Sequence, residues 1–356
     1  DYTDGGCPVL LTEPQSTNII TDSNDFSDSS WFKDNTSQLS KDTLSPTGEL
    51  SATTLLDSNI GGSGLVNVRG AVTVENSKDY TFSVFAKKDQ LNWLWIGLDS
   101  FTSISGTPSY FDLENGVVGN SMSGVTTKIE DYGNGWFRCS ATFETDTVDT
   151  TGNISIGVGT DNGQRTIPLD GASSIKIFGA QFEKLSYATS LIPTYGAVRT
   201  RLQDSVRGAG TSSDFNSEEG VLYWEGKAED LNQYQSIALS DGTNTNRINI
   251  TYSNSSSRIR GFVNVNNGAS STIETPTEYF DYVKVAYKYK LNDCALWVNG
   301  VLIGVDTTQI TFPINTLNEC SFTSGSGTGS FFGKTSQVQV FKTALTDAEL
   351  QTLTTI

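Results

Sequence analysis

The sequence predicts an all-β chain, folded as two consecutive antiparallel β-sandwiches with one short helix near the C-terminus. Three observations point there. Among 356 residues, 36% are hydrophobic and only 18% charged, and 34 are Gly. The remainder is rich in Ser, Thr and Asn, a mixture that suits short strands and polar turns and is poor in helix formers. Apolar and polar residues alternate with period two through many short runs, and Gly, Asn and Asp punctuate those runs at regular spacing. A chain of this length holds about two domains of ordinary size, each large enough to bury a core.

Residues 1–20 are extended and punctuated by Pro8 and Pro14, which suits a segment lying along another surface. The segment from Asn24 to Trp31 is polar and acidic, with Phe26 and Trp31 as its anchors. Leu65 to Val74, Tyr80 to Ala86, Leu91 to Leu98 and Tyr110 to Leu113 then read as strands. Thr126 to Asp131, Trp136 to Phe143, Ile154 to Val158 and Ile175 to Phe182 complete a first sandwich or jelly roll, over 21–194. Residues 195–212 break the pattern and read as a linker carrying Arg199, Arg201 and Arg207, cations expected to pair with neighbouring carboxylates.

The second domain, 213–356, repeats the idiom. Gly220 to Gly226, Gln235 to Leu239, Arg247 to Tyr252, Ile259 to Val265, Tyr282 to Tyr289, Ala295 to Val298 and Val301 to Val305 read as strands. Asn299-Gly300 between two of them predicts a type I′ hairpin, because both residues tolerate positive φ. Thr346 and Glu349 have capping-box spacing and predict a helix start.

The net charge is −17 and no His is present. The acidity argues against nucleic acid, whose phosphates need a basic face, and against docking on anionic lipid. Without His, the usual general base and metal ligand are missing. No apolar run is long enough to span a membrane. The chain starts without Met or a signal-type segment, as a fragment or processed chain would. Cys7, Cys139, Cys294 and Cys320 lack zinc-site spacing. Cys294 and Cys320 are either a disulfide or two reduced core thiols.

Several segments together resemble known families. Cys7-Pro8, Glu13 to Asn18, Asp25-Phe26-Ser27, Phe82 to Lys87, Gly133 to Cys139, Gly179 to Glu183 and Tyr187 to Thr194 resemble a domain of phage tail-fibre and head-fibre proteins. That domain is a jelly roll like the carbohydrate-binding modules of glycan-degrading enzymes. Ser240 to Thr243, Asn246-Arg247, Ala295 to Gly300 and Phe341 to Leu350 resemble a concanavalin A-like, laminin G-type sandwich. The resemblance implies a non-catalytic fibre segment on the virion surface, probing host-surface glycan and assembling with other fibre subunits as a homotrimer. The alternatives are the carbohydrate-binding region of a secreted, extracellular bacterial enzyme or adhesin, and a glycan depolymerase with unrecognised carboxylates. Hydrolases of the concanavalin A type carry closely spaced carboxylates on one strand; Glu225 and Glu229 come nearest and do not match the pattern.

Sugar binding needs an aromatic platform flanked by amides and carboxylates. Trp93 and Trp95 share a strand face at period two, with Asn92 and Asp99 near in sequence. This is the expected platform, set against the reading that both rings fill the core. Trp224 is a further candidate, exposed or core. Trp136 and Trp297 are expected to pack inside. A structural calcium ion is the cofactor the composition allows, with hard oxygen ligands from Asp22, Asn24, Asp25 and Asp28, from Asp161 and Asn162, or from Asp241 and Asn244. None has an EF-hand pattern, and each cluster also reads as an Asx-rich turn.

Overall fold

The computed structural model describes residues 8–36, 39–229, 233–253, 256–308 and 310–356. It is all-β apart from one short helix, as the alternation requires. The chain forms two compact units, Gln15–Leu202 and Asp1–Pro14 with Gln203–Ile356. Cys7 lies outside the described residues.

The Gln15–Leu202 unit has two six-stranded antiparallel sheets. The first runs Val117–Val118, Ser109–Asp112, Trp93–Asp99, Thr151–Gly159, Asn67–Thr73, Phe32–Asp34. The second runs Thr126–Asp131, Trp136–Glu144, Asp79–Lys88, Ser174–Glu183, Leu50–Leu56, Lys41–Leu44. Spatial neighbours are mostly non-consecutive in sequence, the crossing pattern of a jelly roll. Period two divides each strand between faces. Leu94, Ile96 and Leu98 enter the core with Phe82, Val84 and Ala86, and Phe26 and Trp31 plug it as the anchoring aromatics. The odd-numbered residues of Trp93–Asp99 therefore take the outer face. Trp136 is buried in a smaller cluster with Phe85 and Phe178, its Nε1 donating to the Leu44 carbonyl.

The other unit packs a six-stranded sheet against a five-stranded one. The larger runs Leu10–Thr12, Gly333–Phe341, Glu219–Ala228, Val283–Lys290, Cys294–Val298, Val301–Asp306. The smaller runs Ala269–Glu274, Ile259–Val265, Arg247–Tyr252, Gln235–Ser240, Glu319–Ser321. The hairpin turn at Asn299 (φ 50°) and Gly300 (φ 78°) forms as the sequence predicts. The helix Asp347–Thr354 starts at Thr346 with both halves of the capping box made. Its Leu350 packs on Val221, Tyr223 and Trp297, so Trp297 is buried beneath the helix rather than between the sheets.

The ends of the expected segments shift. Residues 8–14 belong with the C-terminal sandwich, and Leu10–Thr12 pairs with Gly333–Phe341 as an edge strand. Within the stretch read as a linker, Arg199–Arg201 forms a strand on Ser16–Asn18, and Ala209 bridges Cys320. The first sandwich is thus inserted into the second, after its edge strand. Turn-rich composition marks irregular backbone, but not whether that backbone finds hydrogen-bond partners. Cys139, Cys294 and Cys320 are free thiols. Cys294 and Cys320 sit in opposite sheets, and burial pushes the Cys320 thiol up to about 12.

Candidate functional site

The two tryptophans of Trp93–Asp99 share the outer face, but only one remains available. Trp95 is 3% exposed. Its indole lies flat on the adjacent strand: a Cβ on Gly157 would fall 2.1 Å from the ring. Its Nε1 donates to the Val158 carbonyl at 2.9 Å. The absence of a side chain at Gly157 makes room for this ring, so Trp95 is a structural residue and the expectation that it forms a platform is corrected. Period-two alternation fixes a face; it does not show what the facing residue of the next strand leaves open.

Trp93 is partly exposed. It pairs with Gly159 and Asp112 across the sheet, and over Gly159 lies the Gln164 carbonyl rather than a side chain of that strand. Two loops come up beside it. A Cβ on Gly119 would lie 2.9 Å from the Trp93 ring and 2.6 Å from Asn162 Oδ1, which places the Asn162 amide beside the indole. Asn120 N donates to Asn162 Oδ1 (2.7 Å), and Asn162 Nδ2 donates to Asn120 Oδ1 (3.3 Å). This reciprocal pair laces residues 119–120 to 161–164. The second loop is a tight turn in which Asp161 Oδ1 accepts from Asn162 N (2.7 Å), and Gln164 N donates to the Asp161 carbonyl (3.0 Å). The Asn120, Asp161, Asn162, Gln164 and Arg165 side chains are exposed. Among the described residues, Asn120 Nδ2, Asp161 Oδ2 and the Gln164 side-chain amide have no protein partner, on loops of which the Asn162 amide lies beside the ring.

The other sequence candidates do not join this cluster. Asp99 shares the outer face but stands six residues along the strand from Trp93, about 20 Å away at strand rise. Asn92 precedes the strand, where its backbone carbonyl accepts from Leu113 N at 2.7 Å; that bond fixes its backbone and does not engage its side-chain amide. Trp224 is fully buried in the second sandwich, edge-on to Phe331 and Tyr252, with Nε1 donating to Thr335 Oγ1 at 3.0 Å. It is core, because the face it shares with Leu222 is the inner one.

The acidic clusters resolve into turns and ion pairs. Asp25 Oδ1 accepts from Ser27 N and Oγ, and the Ser27 hydroxyl holds its carboxyl below the usual range, with Lys41 also near at 3.6 Å. Asp28 Oδ1 accepts from Ser30 N, and that backbone bond lowers Asp28 likewise. Asp22 Oδ1 accepts from Gly196 N at 2.9 Å. The Lys33 ammonium already occupies the carbonyls of Ser27 and Asp28, where a cation would otherwise be attracted. Asp241 closes an Asx turn on Thr243 and accepts from Asn246 Nδ2. Among the described residues, no three acidic, Cys or His side chains converge on one point. Of the carboxylates weighed for hydrolysis, Glu225 accepts from the Tyr223 hydroxyl (2.7 Å) and the Tyr282 hydroxyl (2.9 Å), with Lys284 Nζ at 3.9 Å. That arrangement ties down both oxygens.

Asn120 is the residue the sequence reading missed. It lies 42 positions from Asn162, and only the strand order brings the two together.

No family model matches the chain, and no curated protein matches it. Among solved structures, it is similar to the CBM40 module of the Ruminococcus gnavus IT-sialidase, at 20% identity, covering 42% of this chain and 95% of that one, TM-score 0.36. It is similar to domain 4 of AbnA, an extracellular arabinanase from Geobacillus stearothermophilus in complex with arabinotriose, at 14% identity, 48% and 81% coverage, TM-score 0.37. It is also similar to domains LG4-5 of the mouse laminin alpha1 chain, at 10% identity, 78% and 88% coverage, TM-score 0.29. These TM-scores are low, and none of the three likenesses bears on what this chain binds.

Proposed function

We propose that this chain is a non-catalytic glycan-binding segment and that the Trp93 patch is its sugar contact. The observation that carries the reading is the Asn162 amide beside a partly exposed indole, on two loops laced through Asn120 that also bear the exposed Asp161 and Gln164 side chains. Sugar C–H faces stack on such a ring while hydroxyls exchange hydrogen bonds with amides and carboxylates. The loop side chains around the ring are exposed, which suits a saccharide chain passing over them. The two Asn side chains brace each other before any ligand arrives, so little ordering cost is added on binding.

The finer reading, from the sequence resemblance, is a fibre segment displayed on a virion as a homotrimer. Three copies of a weak site would bind a polymeric surface far more tightly than one. Light scattering on the purified chain, expected to give three times the monomer mass, tests the assembly; a monomer at micromolar concentration removes the trimer from the account. The binding claim is tested on an immobilised glycan panel, with reducing ends assayed in parallel. Retention on at least one polysaccharide without release of reducing ends supports the reading. Steady release of reducing ends replaces it with the depolymerase.

A further inference from the structure

The Gln15–Leu202 unit holds a cavity of about 450 Å³ that the Trp93 reading does not use. This lies within the roughly 300–1,000 Å³ span of small-ligand sites. Its walls come from the 15–19 segment, from Thr73, Val74 and Glu75, and from Tyr80 and Lys184. Thr73 pairs with Thr151, at the opposite end of its strand from Gly159, the partner of Trp93. At strand rise the two rows are about 26 Å apart, so the cavity and the Trp93 patch are separate places. The walls carry one charge of each sign, and the two are paired. Lys184 Nζ lies 2.8 Å from Glu75 Oε1, with both side chains partly exposed. That bond holds Glu75 below the usual carboxylate range and Lys184 above the usual ammonium range, so both stay ionised at neutral pH. Lys78 is within electrostatic reach of Glu75 but does not line the cavity.

Tyr80 is the buried member of the wall. It is 2% exposed, and its ring is stacked on Phe182 with centroids 5.1 Å apart. Its hydroxyl accepts from Glu75 N at 2.9 Å. Among the described residues no acceptor takes the hydroxyl's own proton, and burial pushes the phenol up, so that proton is held. A buried donor without an acceptor is costly unless something in the cavity takes its proton. Around it, Glu75 Oε2 remains an acceptor and the Lys184 ammonium keeps donors beyond its bond to Glu75. Gln15 and Thr73 add an exposed amide and an exposed hydroxyl, both without a protein partner among the described residues, and Ile19 and Val74 add aliphatic surface.

We infer that this cavity is a second saccharide site, taking one uncharged sugar residue through a pair of vicinal hydroxyls. One hydroxyl donates to Glu75 Oε2 while its neighbour accepts from Lys184, groups that the ion pair holds side by side. The Tyr80 proton goes to a further sugar oxygen, and Ile19 with Val74 meets the C–H surface. An anionic sugar would have to compete with Glu75 for Lys184, which sets the preference for an uncharged one. The inference rests on the glycan-binding reading but not on the Trp93 site, and the variants separate the two.

Saturation-transfer NMR on the full chain tests it with the methyl glycosides of glucose, galactose, mannose and N-acetylglucosamine, and with methyl β-glucuronide as the charged comparison. At least one uncharged glycoside is expected to give a signal that survives Trp93→Ala. That signal falls about tenfold in Lys184→Gln, as for loss of a hydrogen bond to a charged group, and several-fold in Tyr80→Phe, which keeps the ring and removes only the hydroxyl. Thr73→Trp, a bulky substitution on the exposed wall, abolishes it. Melting curves like the parent's show that Lys184→Gln and Thr73→Trp fold. The glucuronide signal is expected to be several-fold weaker than that of the best uncharged sugar. The inference is overturned by absence of signal from every uncharged glycoside, by an equal signal from the glucuronide, by a signal unchanged in Thr73→Trp, or by one lost in Trp93→Ala. Retention of the chain on a polysaccharide despite the first of these leaves the Trp93 reading standing by itself.

Discussion

Replacing Trp95 with Ala separates the structural tryptophan from its neighbour. The ring is 3% exposed, seated on Gly157, and hydrogen-bonded to Val158. Truncating a fully packed aromatic costs about 3–5 kcal/mol through lost transfer energy and the cavity left behind. Here the Val158 carbonyl also loses its indole donor, which favours the upper half of that range. A domain of this size loses about 2–4 °C per kcal/mol, so the melting transition of the Gln15–Leu202 unit falls by about 6–20 °C. Differential scanning calorimetry of wild type, Trp95→Ala and Trp93→Ala reads it directly. Trp93 is only partly buried, so its truncation moves the same transition by about 1 kcal/mol or less. Equal shifts for the two variants, or a Trp95→Ala shift below about 2 °C, would refute the assignment of Trp95 to structure.

Four further outcomes follow from the same contacts. Gly157→Ala drives a methyl into the Trp95 indole and destabilises by about 1–3 kcal/mol, with a large coupling to Trp95→Ala in a double-mutant cycle; additive effects contradict the contact. Thr346→Ala removes the capping box and costs about 1 kcal/mol in urea denaturation of the C-terminal sandwich, whereas a shift near zero means the helix end needs no cap. Glu274 is held below its usual range chiefly by its bond to Arg260, with Arg258 at 3.3 Å. Since the unfolded chain takes up that proton first, stability from this group is present above the unfolded carboxylate pKa of about 4.3 and is lost as pH falls through the lower folded value. Glu274→Gln therefore flattens the acid limb of a stability–pH curve, and an unaltered limb removes the pair from the account. Finally, chelator and millimolar calcium leave both melting transitions within about 1 °C of each other; a shift of several degrees, as a filled site would give, returns Asp22, Asp25, Asp28 or Asp241 to consideration as ligands.

Much of the fold can be read from the residues because period two is strong where one strand face is buried. Thr126–Asp131, Arg247–Tyr252 and Ile259–Val265 have the limits the alternation implies. The missing strands lack that signal. Gly333–Phe341 pairs directly with Glu219–Ala228, yet it reads Gly-Lys-Thr-Ser-Gln-Val-Gln-Val-Phe, polar through its first half. Leu50–Leu56 buries Ala, Thr and Leu in succession rather than in alternation. Leu10–Thr12 is too short for any period, and its partner lies over 300 positions away. The site was legible as a strand face and no further. Trp93 and Trp95 have the same local pattern, and each faces a glycine of the neighbouring strand; what divides them is that the Trp95 indole fills the space over Gly157, whereas the Gln164 carbonyl fills the space over Gly159. Trp224 follows the same rule in reverse: alternation set it apart from Tyr223, but only the position of the second sheet decided which side was inner.

The central claim is that sugar is bound at Trp93, by that ring and the Asn120–Asn162 loops together. It is tested most directly by isothermal titration of the best-retained polysaccharide into wild type, Trp93→Ala and Asn162→Ala, each shown to melt like the parent. The account predicts that each substitution weakens binding about tenfold, a loss of about 1.4 kcal/mol. Affinity unchanged in both variants would contradict it.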